Sequence, residues 1–360
     1  MDVNLMRMRE LLELAIQRRA SDLHLTVSSK PTLRIDGNLT PVEELKPLTP
    51  KEVEAYLEEI ANPERREEYA KHHELDFAYS VPGLTRCRVN ILQQRSSISI
   101  AIRLIPFGIP TIEHLNLPAI CKRLILKPSG LILMTGPTGS GKSSTIAAMI
   151  EHLNETKACN VITIEDPIEF VYSNKLSLIL QRDVGEDTDS FDSALMHALR
   201  HDPDVIVLGE IRDLDTMTIA IRAAETGHLV LGTLHTIDAS QTINRIVDMF
   251  PGVQQDQIRN QLSLVLTAII CQTLVPRTDG VGRVPACEVL IANMPIRNTI
   301  REGRIHQLYS IIQVSKKEGM QSLNQALAGL LIKGTISEEQ AFLRSNNLEE
   351  LRGIYESYKH

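Results

Sequence analysis

The sequence has 360 residues, 43% apolar and 23% charged, with a formal net charge of −7. Single cores rarely grow past about 250 residues, so this length predicts a smaller N-terminal and a larger C-terminal domain. The apolar fraction excludes a disordered or fibrous chain, and the acidic balance argues against a nucleic-acid partner, which needs a concentrated basic face.

Met1-Asp2-Val3-Asn4-Leu5 carries no basic stretch leading into an apolar run. No segment approaches the roughly 18 uninterrupted apolar residues of a membrane span, so we expect no transmembrane segment and a cytoplasmic location. Leu5, Met8, Leu12 and Ile16 recur at helical spacing and stop at Ser21-Asp22, which predicts an amphipathic opening helix. Leu23, Leu25 and Val27 then alternate with Asp22, His24 and Thr26, the pattern of a half-buried strand. Asp36-Gly37, between residues 32–35 and 38–40, predicts a tight hairpin turn.

Two more strands are predicted at about 85–92 and 97–104. In the first, Arg86, Arg88 and Asn90 share one face and Cys87, Val89 and Ile91 the other; in the second, Ile98, Ile100, Ile102 and Leu104 oppose Ser99 and Arg103. Paired as a hairpin, they display three arginines on one side of a small sheet. For the residues alone, a solvated basic face is the ordinary reading.

Pro106 to Pro110 and Leu115 to Pro118 are rich in turn residues and read as an interdomain linker, giving domains 1–106 and 119–360 around a linker at 107–118. Beyond it, short apolar runs at 131–134, 160–164, 205–208 and 229–231 alternate with helical stretches. That predicts a mainly parallel sheet with helices on both faces, the chain turning predominantly helical after about residue 255. Cys87, Cys121, Cys159, Cys271 and Cys287 lie far apart with no C-x-x-C pair, which fits neither a disulfide framework nor a zinc site.

The run Gly136-Pro137-Thr138-Gly139-Ser140-Gly141-Lys142-Ser143 satisfies G-x-x-x-x-G-K-[ST], follows an apolar strand and opens a helix at Ser144. Its glycines let backbone N–H groups turn toward phosphates. Lys142 reaches the β and γ oxygens, and Ser143 is placed to ligate Mg²⁺.

Hydrolysis of a bound nucleotide also needs an acid near the metal and a group that polarises water. Strand 204–208 ends at Gly209-Glu210, which in a parallel sheet puts Glu210 at the carboxyl edge beside the phosphate loop, as the candidate for metal coordination through water. Residues 161–164 run into Glu165, Asp166 and Glu169, and Glu169 is the candidate for polarising the attacking water. Either cluster alone reads as a helix cap or a solvated turn; beside a phosphate loop both read as catalytic. Strand 229–234 delivers His235, whose imidazole suits sensing the γ-phosphate. His228, just before that strand, is grouped with the nucleotide-contacting residues, with a structural role as the other reading.

These runs match a known family. Residues 162–170 (ITIEDPIEF), 202–213 (DPDVIVLGEIRD) and 223–236 (AAETGHLVLGTLHT) resemble the Asp box, Walker B and His box of the secretion and type IV pilus ATPases. Residues 20–25 (ASDLHL) and 34–37 (RIDG) resemble that family's N-terminal domain, so the likeness covers almost the whole chain. Within the family it is similar to the retraction branch: no four-cysteine insert surrounds Cys271 and Cys287, and residues 296–302 (IRNTIRE) resemble a signature associated with retraction. Pro295, Thr299, Ser96 and Ser29 depart from the usual pattern.

The resemblance implies an α/β chain, with an N-terminal PAS-like α+β domain and a RecA-like P-loop ATPase domain carrying a helical C-terminal region. It implies ATP and Mg²⁺, and a homohexamer in which Arg86, Arg88 and Arg103 serve the nucleotide of a neighbouring ATPase domain. It further implies a position peripheral to the inner membrane at a pilus base, an inner-membrane platform protein as partner, and a paralogous retraction ATPase as a further one. The expected activity is ATP hydrolysis driving pilus retraction. A pilus-assembly or type II secretion ATPase, an accessory subunit using nucleotide as a switch, and a nucleic-acid translocase are the alternatives.

Overall fold

The computed structural model describes residues 6–35, 37–105 and 108–357. Leu5 of the expected opening helix, Asp36 of the expected turn and Pro106-Phe107 of the expected linker lie outside the described residues. The chain divides into two compact units, Met1–Gly108 with Glu169–Val171, and Ile109–Ile168 with Tyr172–His360.

In the first unit α1 (Met8–Gln17) buries Met8, Leu11, Leu12 and Ala15 along one stripe. It leads into β1 (Asp22–Thr26), β2 (Thr32–Ile35) and β3 (Asn38–Pro41). Residues 42–84, for which the sequence predicts no element, hold α2 (Pro50–Ile60), α3 (Pro63–His72) and β4 (Glu74–Val81). Thr49 caps α2 through a reciprocal pair with Glu52, and Pro50 sits at its first turn. In α3 only Tyr69 is buried, so no apolar stripe betrays that helix in the sequence. Strands β5 (Thr85–Gln94) and β6 (Ser97–Leu104) complete an antiparallel sheet of order β3-β2-β1-β6-β5-β4. Cys87, Val89, Ile91, Ile100 and Ile102 are fully buried on one face, and Arg88 and Arg103 are exposed as directly paired residues on the other.

The second unit is α/β. Its elements in chain order begin with α4 (Ile120–Ile125), β7 (Gly130–Thr135), α5 (Lys142–Thr156), β8 (Asn160–Glu165) and β9 (Leu178–Asp183). They continue through α6 (Phe191–Ala198), β10 (Val205–Leu208), α7 (Leu214–Glu225), β11 (Leu229–Leu234), α8 (Ala239–Asp248) and α9 (Gln255–Val265). Then come β12 (Leu266–Pro276), β13 (Arg283–Ile291), α10 (Met294–Arg301), α11 (Leu308–Val314), α12 (Leu323–Ile332), α13 (Glu338–Arg344) and α14 (Leu348–Ser357).

The sheet order is β13-β12-β7-β11-β10-β8-β9, parallel throughout except for the antiparallel β12–β13 pair. Alternate strand residues feed two cores. Leu131, Leu133, Ile206 and Leu208 pack with α6 to α11, while Ile132, Met134, Val205 and Val207 pack with α4 and α5. Helices therefore cover both faces, as period-2 alternation within continuous apolar runs requires.

The expectation of a predominantly helical chain after residue 255 fails over 266–291, where β12 and β13 extend the sheet. Helix α9 runs directly into β12, so the spacing of Ile258, Leu262 and Val265 continues into an apolar run that periodicity cannot assign. Among the described residues no helix is long and apolar enough to cross a membrane.

Candidate active site

Strands β7, β11, β10 and β8 are parallel neighbours, so the segments that leave them emerge at one edge of the sheet. These are the phosphate loop after Thr135, His235 after Leu234, Gly209-Glu210 after Leu208, and Asp166 after Glu165. Such a carboxyl edge is where open α/β sheets assemble their ligand sites.

In the loop, Gly136, Gly139 and Gly141 have φ of 141°, 76° and 87°, a region that L side chains rarely enter. Pro137, Thr138 and Gly139 form an exposed tip, while Gly136 and Ser140 are buried. Helix α5 starts at Lys142 with Gly141 as its N-cap, so Ser143 and Ser144 lie in a first turn whose N–H groups have no intrahelical acceptor. The Lys142 ammonium arches back over the loop and donates to the carbonyls of Gly136 at 2.7 Å and Pro137 at 3.2 Å.

A Cβ on Gly136 would lie 2.2 Å from the backbone oxygen of Gln272, which cannot swing aside. Gly136→Ala is expected to lower stability by about 1–3 kcal/mol through overpacking and to eliminate ADP binding. Thermal melts with and without ADP check both.

Behind the loop, Glu210 accepts a bond from Arg212 Nη2 at 2.8 Å and one from His235 Nε2 at 2.9 Å. Arg212 also faces Asp166, its Nη1 lying 3.7 Å from Oδ2. The Arg212 bond holds the Glu210 carboxyl below the usual carboxylate range, overcoming partial burial, and His235 adds to it. Glu210 is therefore an ionised acceptor whose two oxygens are aimed by different partners, the Arg212 guanidinium and the His235 ring. Thr233 Oγ1 donates to Gly209 O at 2.5 Å, tying the ends of β11 and β10 together beneath this cluster. Arg212 lies within the 202–213 run but has no role assigned from sequence; a cation two residues after a carboxylate at a strand end is the signal that would have found it.

Among the described residues no group of three or more His, Cys, Asp or Glu could hold a metal ion. Mg²⁺ needs no such cluster, because it keeps several waters and takes its remaining oxygens from one or two protein groups and from phosphates.

Glu169 is exposed and divides with the first unit. His228 stands apart from the phosphate loop: it precedes β11, seven residues or about 23 Å from His235, and its Nδ1 bonds the Ala223 carbonyl and the Thr226 hydroxyl. That geometry fits the structural reading of His228. It closes α7 onto the start of β11. In the first unit, Arg103 Nε donates to Asp22 Oδ1 at 3.0 Å, and Arg34 stands 3.9 Å from the other Asp22 oxygen. Burial raises the Asp22 carboxyl, but the Ser21 hydroxyl and Arg103 outweigh it and hold it below the usual range. Arg88 lies 3.9 Å from Asp76, and Arg86 Nη1 donates to Ser80 Oγ at 3.3 Å.

The segment after His235 is anchored from below. Asp238 caps α8 through Gln241 N, and Glu288 on β13 accepts Ala239 N at 2.8 Å while only 2% exposed. Burial pushes the Glu288 carboxyl up to about 7, despite the opposing pull of the Ala239 bond. The folded protein thus keeps a proton that the unfolded chain releases near the ordinary value of 4.5. This contribution is full below about 4.5, falls as pH rises, and is gone above about 7, a change of about 3 kcal/mol. Glu288→Gln is expected to flatten the pH dependence of Tm between pH 5 and 8, which differential scanning calorimetry checks.

Residues 4–320 match the family described as type II/IV secretion system protein. The type IV pilus retraction ATPase PilT of Pseudomonas aeruginosa is 46% identical over 336 residues, covering 93% of this chain and 97% of that protein. A twitching motility protein of Neisseria gonorrhoeae is 44% identical over 321 residues, covering 89% of this chain and 86% of the relative. A crystal structure of the pilus retraction motor PilT with bound ADP superposes with a TM-score of 0.90 at 46% identity, covering 97% of this chain and 99% of that one.

Proposed function

The chain belongs to the type II/IV secretion system protein family, and on that premise we propose that it hydrolyses ATP to power retraction of a type IV pilus. The observation that carries this reading is the convergence of the phosphate loop with Glu210, Arg212 and His235 at adjoining strand ends, in a chain related along nearly its whole length to a retraction ATPase.

In this reading the loop N–H groups and Lys142 hold the phosphates, and Ser144 extends the cradle. Ser143 directly, and Glu210 through a water, would hold Mg²⁺, which when bound would supply neutralisation of phosphate charge. Glu169 orients the attacking water, and His235, fixed by Glu210, senses the γ-phosphate. The second unit acts as a RecA-like ATPase domain and the first as a PAS-like domain. Arg86, Arg88 and Arg103 reach the nucleotide of a neighbour in a homohexamer. Arg103 is exposed while its partner Asp22 is nearly buried, and if Arg103 moves to a phosphate, the Ser21 hydroxyl and Arg34 remain to hold the Asp22 carboxylate. The ring works at the cytoplasmic side of the inner membrane against a platform protein there, alone or beside a paralogous retraction ATPase.

The test is to express the chain in a piliated bacterium lacking its own retraction ATPase and to follow fluorescently labelled pili. Restored retraction is expected. Pili that extend and never shorten, in cells whose purified protein hydrolyses ATP, would overturn the retraction assignment while leaving the ATPase intact. Glu169→Gln is expected to slow ATP turnover about 10²-fold or more with ADP affinity unchanged, checked by phosphate release and by ADP titration.

A further inference from the structure

Strand β12 is the inner neighbour of β7, and the parallel register pairs Cys271 with Thr135 at the residue before the phosphate loop. The next residue on β12, Gln272, is therefore delivered directly beneath the loop. It is the one amide in a strand that is otherwise apolar but for two threonines, and it is only 4% exposed.

Both ends of its amide are engaged. Nε2 donates to the Ser140 carbonyl at 2.7 Å, and Oε1 accepts the Thr145 hydroxyl at 2.8 Å. The orientation follows from the partners, because a carbonyl only accepts and so must face the NH₂ group. The loop is moulded to this side chain: a Cβ on Gly136 would strike the Gln272 backbone oxygen, and one on Gly141 would lie 2.9 Å from Nε2. The amide thus clasps the loop and the first turn of α5 at once.

The bond to Ser140 has a stereochemical consequence. In a trans peptide the C=O of one residue and the N–H of the next point in opposite directions. Holding the Ser140 carbonyl against Gln272 on β12 therefore turns the Gly141 N–H away from that strand. Without the clasp that peptide plane is free to rotate.

We propose that Gln272 is a positioning residue for nucleotide binding, locking the Ser140–Gly141 peptide so that its N–H faces the phosphates. This rests on the nucleotide-binding reading above. The role needs a donor and an acceptor in one short side chain. Methionine provides neither strongly, an ionised glutamate provides only acceptors, and a protonated glutamate provides both.

The test is titration of the purified full-length protein with fluorescent ADP at pH 6 and pH 8. Gln272→Met, which keeps the volume, is expected to bind ADP at least tenfold more weakly than the wild type. Gln272→Glu is expected to be similarly weak at pH 8 and to recover at least threefold relative to the wild type at pH 6, as its buried carboxyl takes up a proton. A residue that merely fills space gives no such pH-dependent rescue. Wild-type affinity in Gln272→Met, or the same deficit of Gln272→Glu at both pH values, overturns the proposal. A wild-type protein that does not bind ADP overturns instead the functional reading on which it stands.

Discussion

Lys142→Ala is expected to cut ATP turnover by about 10²–10³-fold, the loss found when a preorganised charge-stabilising group is removed, and to weaken nucleotide binding with it. The ammonium already reaches across the loop to the Gly136 and Pro137 carbonyls. Phosphate oxygens placed there would exchange two neutral acceptors for charged ones, which form roughly twice as strong hydrogen bonds. Lys142 is partly exposed, so the unliganded fold should change by less than about 0.5 kcal/mol. The variant should therefore melt as the wild type does without ligand and lose the stabilisation that ADP confers, about 2.7 kcal/mol at a hundredfold excess over Kd. Lys142→Arg should fail as well, because a planar guanidinium does not replace a compact ammonium inside a closed loop.

Glu210→Gln is expected to separate chemistry from binding. The carboxylate joins Arg212 and His235 through different oxygens and is ionised because Arg212 holds it so. An amide offers one acceptor oxygen and turns an NH₂ group toward the other partner, so either the Arg212 bond is lost or the His235 ring must change tautomer to accept. Hydrolysis should fall by about 10²–10⁴-fold, the range for losing a positioned acid–base group. ADP affinity should stay close to wild type, because the loop and Lys142 remain intact. A variant that lost both equally would move Glu210 from chemistry to nucleotide holding.

Much of this site is legible in the sequence because its parts are local. The phosphate loop is one continuous run, and Glu210 and His235 each end an apolar strand, so strand direction alone places them at one edge. The same logic, applied strictly, separates His228: it precedes β11, and a residue before a parallel strand belongs to the opposite edge. The arginine face of β5 and β6 follows from alternation, but its partner Asp22 on β1 does not, since that pairing depends on strand order. Arg212 and Gln272 are harder for the same reason. One acts across a loop and the other across β12 and β7, whose neighbourhood no spacing encodes. Strand β12 is concealed by the helix that runs into it.

The rigid parts of the site are built from below and its reactive parts are aimed from the side. Gln272 and the Gly136 close approach fix the loop, Glu288 fixes the segment after His235, and Arg212 fixes Glu210. None of these contacts requires a ligand to be present. On this view the site is preorganised for phosphate, and nucleotide supplies the charge that the cations await.

The most direct test of that account is release of inorganic phosphate from ATP by the purified chain, measured for wild type and Glu210→Gln, with Mg²⁺ or with excess chelator, and with or without single-stranded DNA. We expect turnover by the wild type that requires Mg²⁺, is indifferent to DNA, and is lost in Glu210→Gln while ADP still binds. Wild-type turnover in Glu210→Gln, or hydrolysis that appears only with DNA, would contradict it.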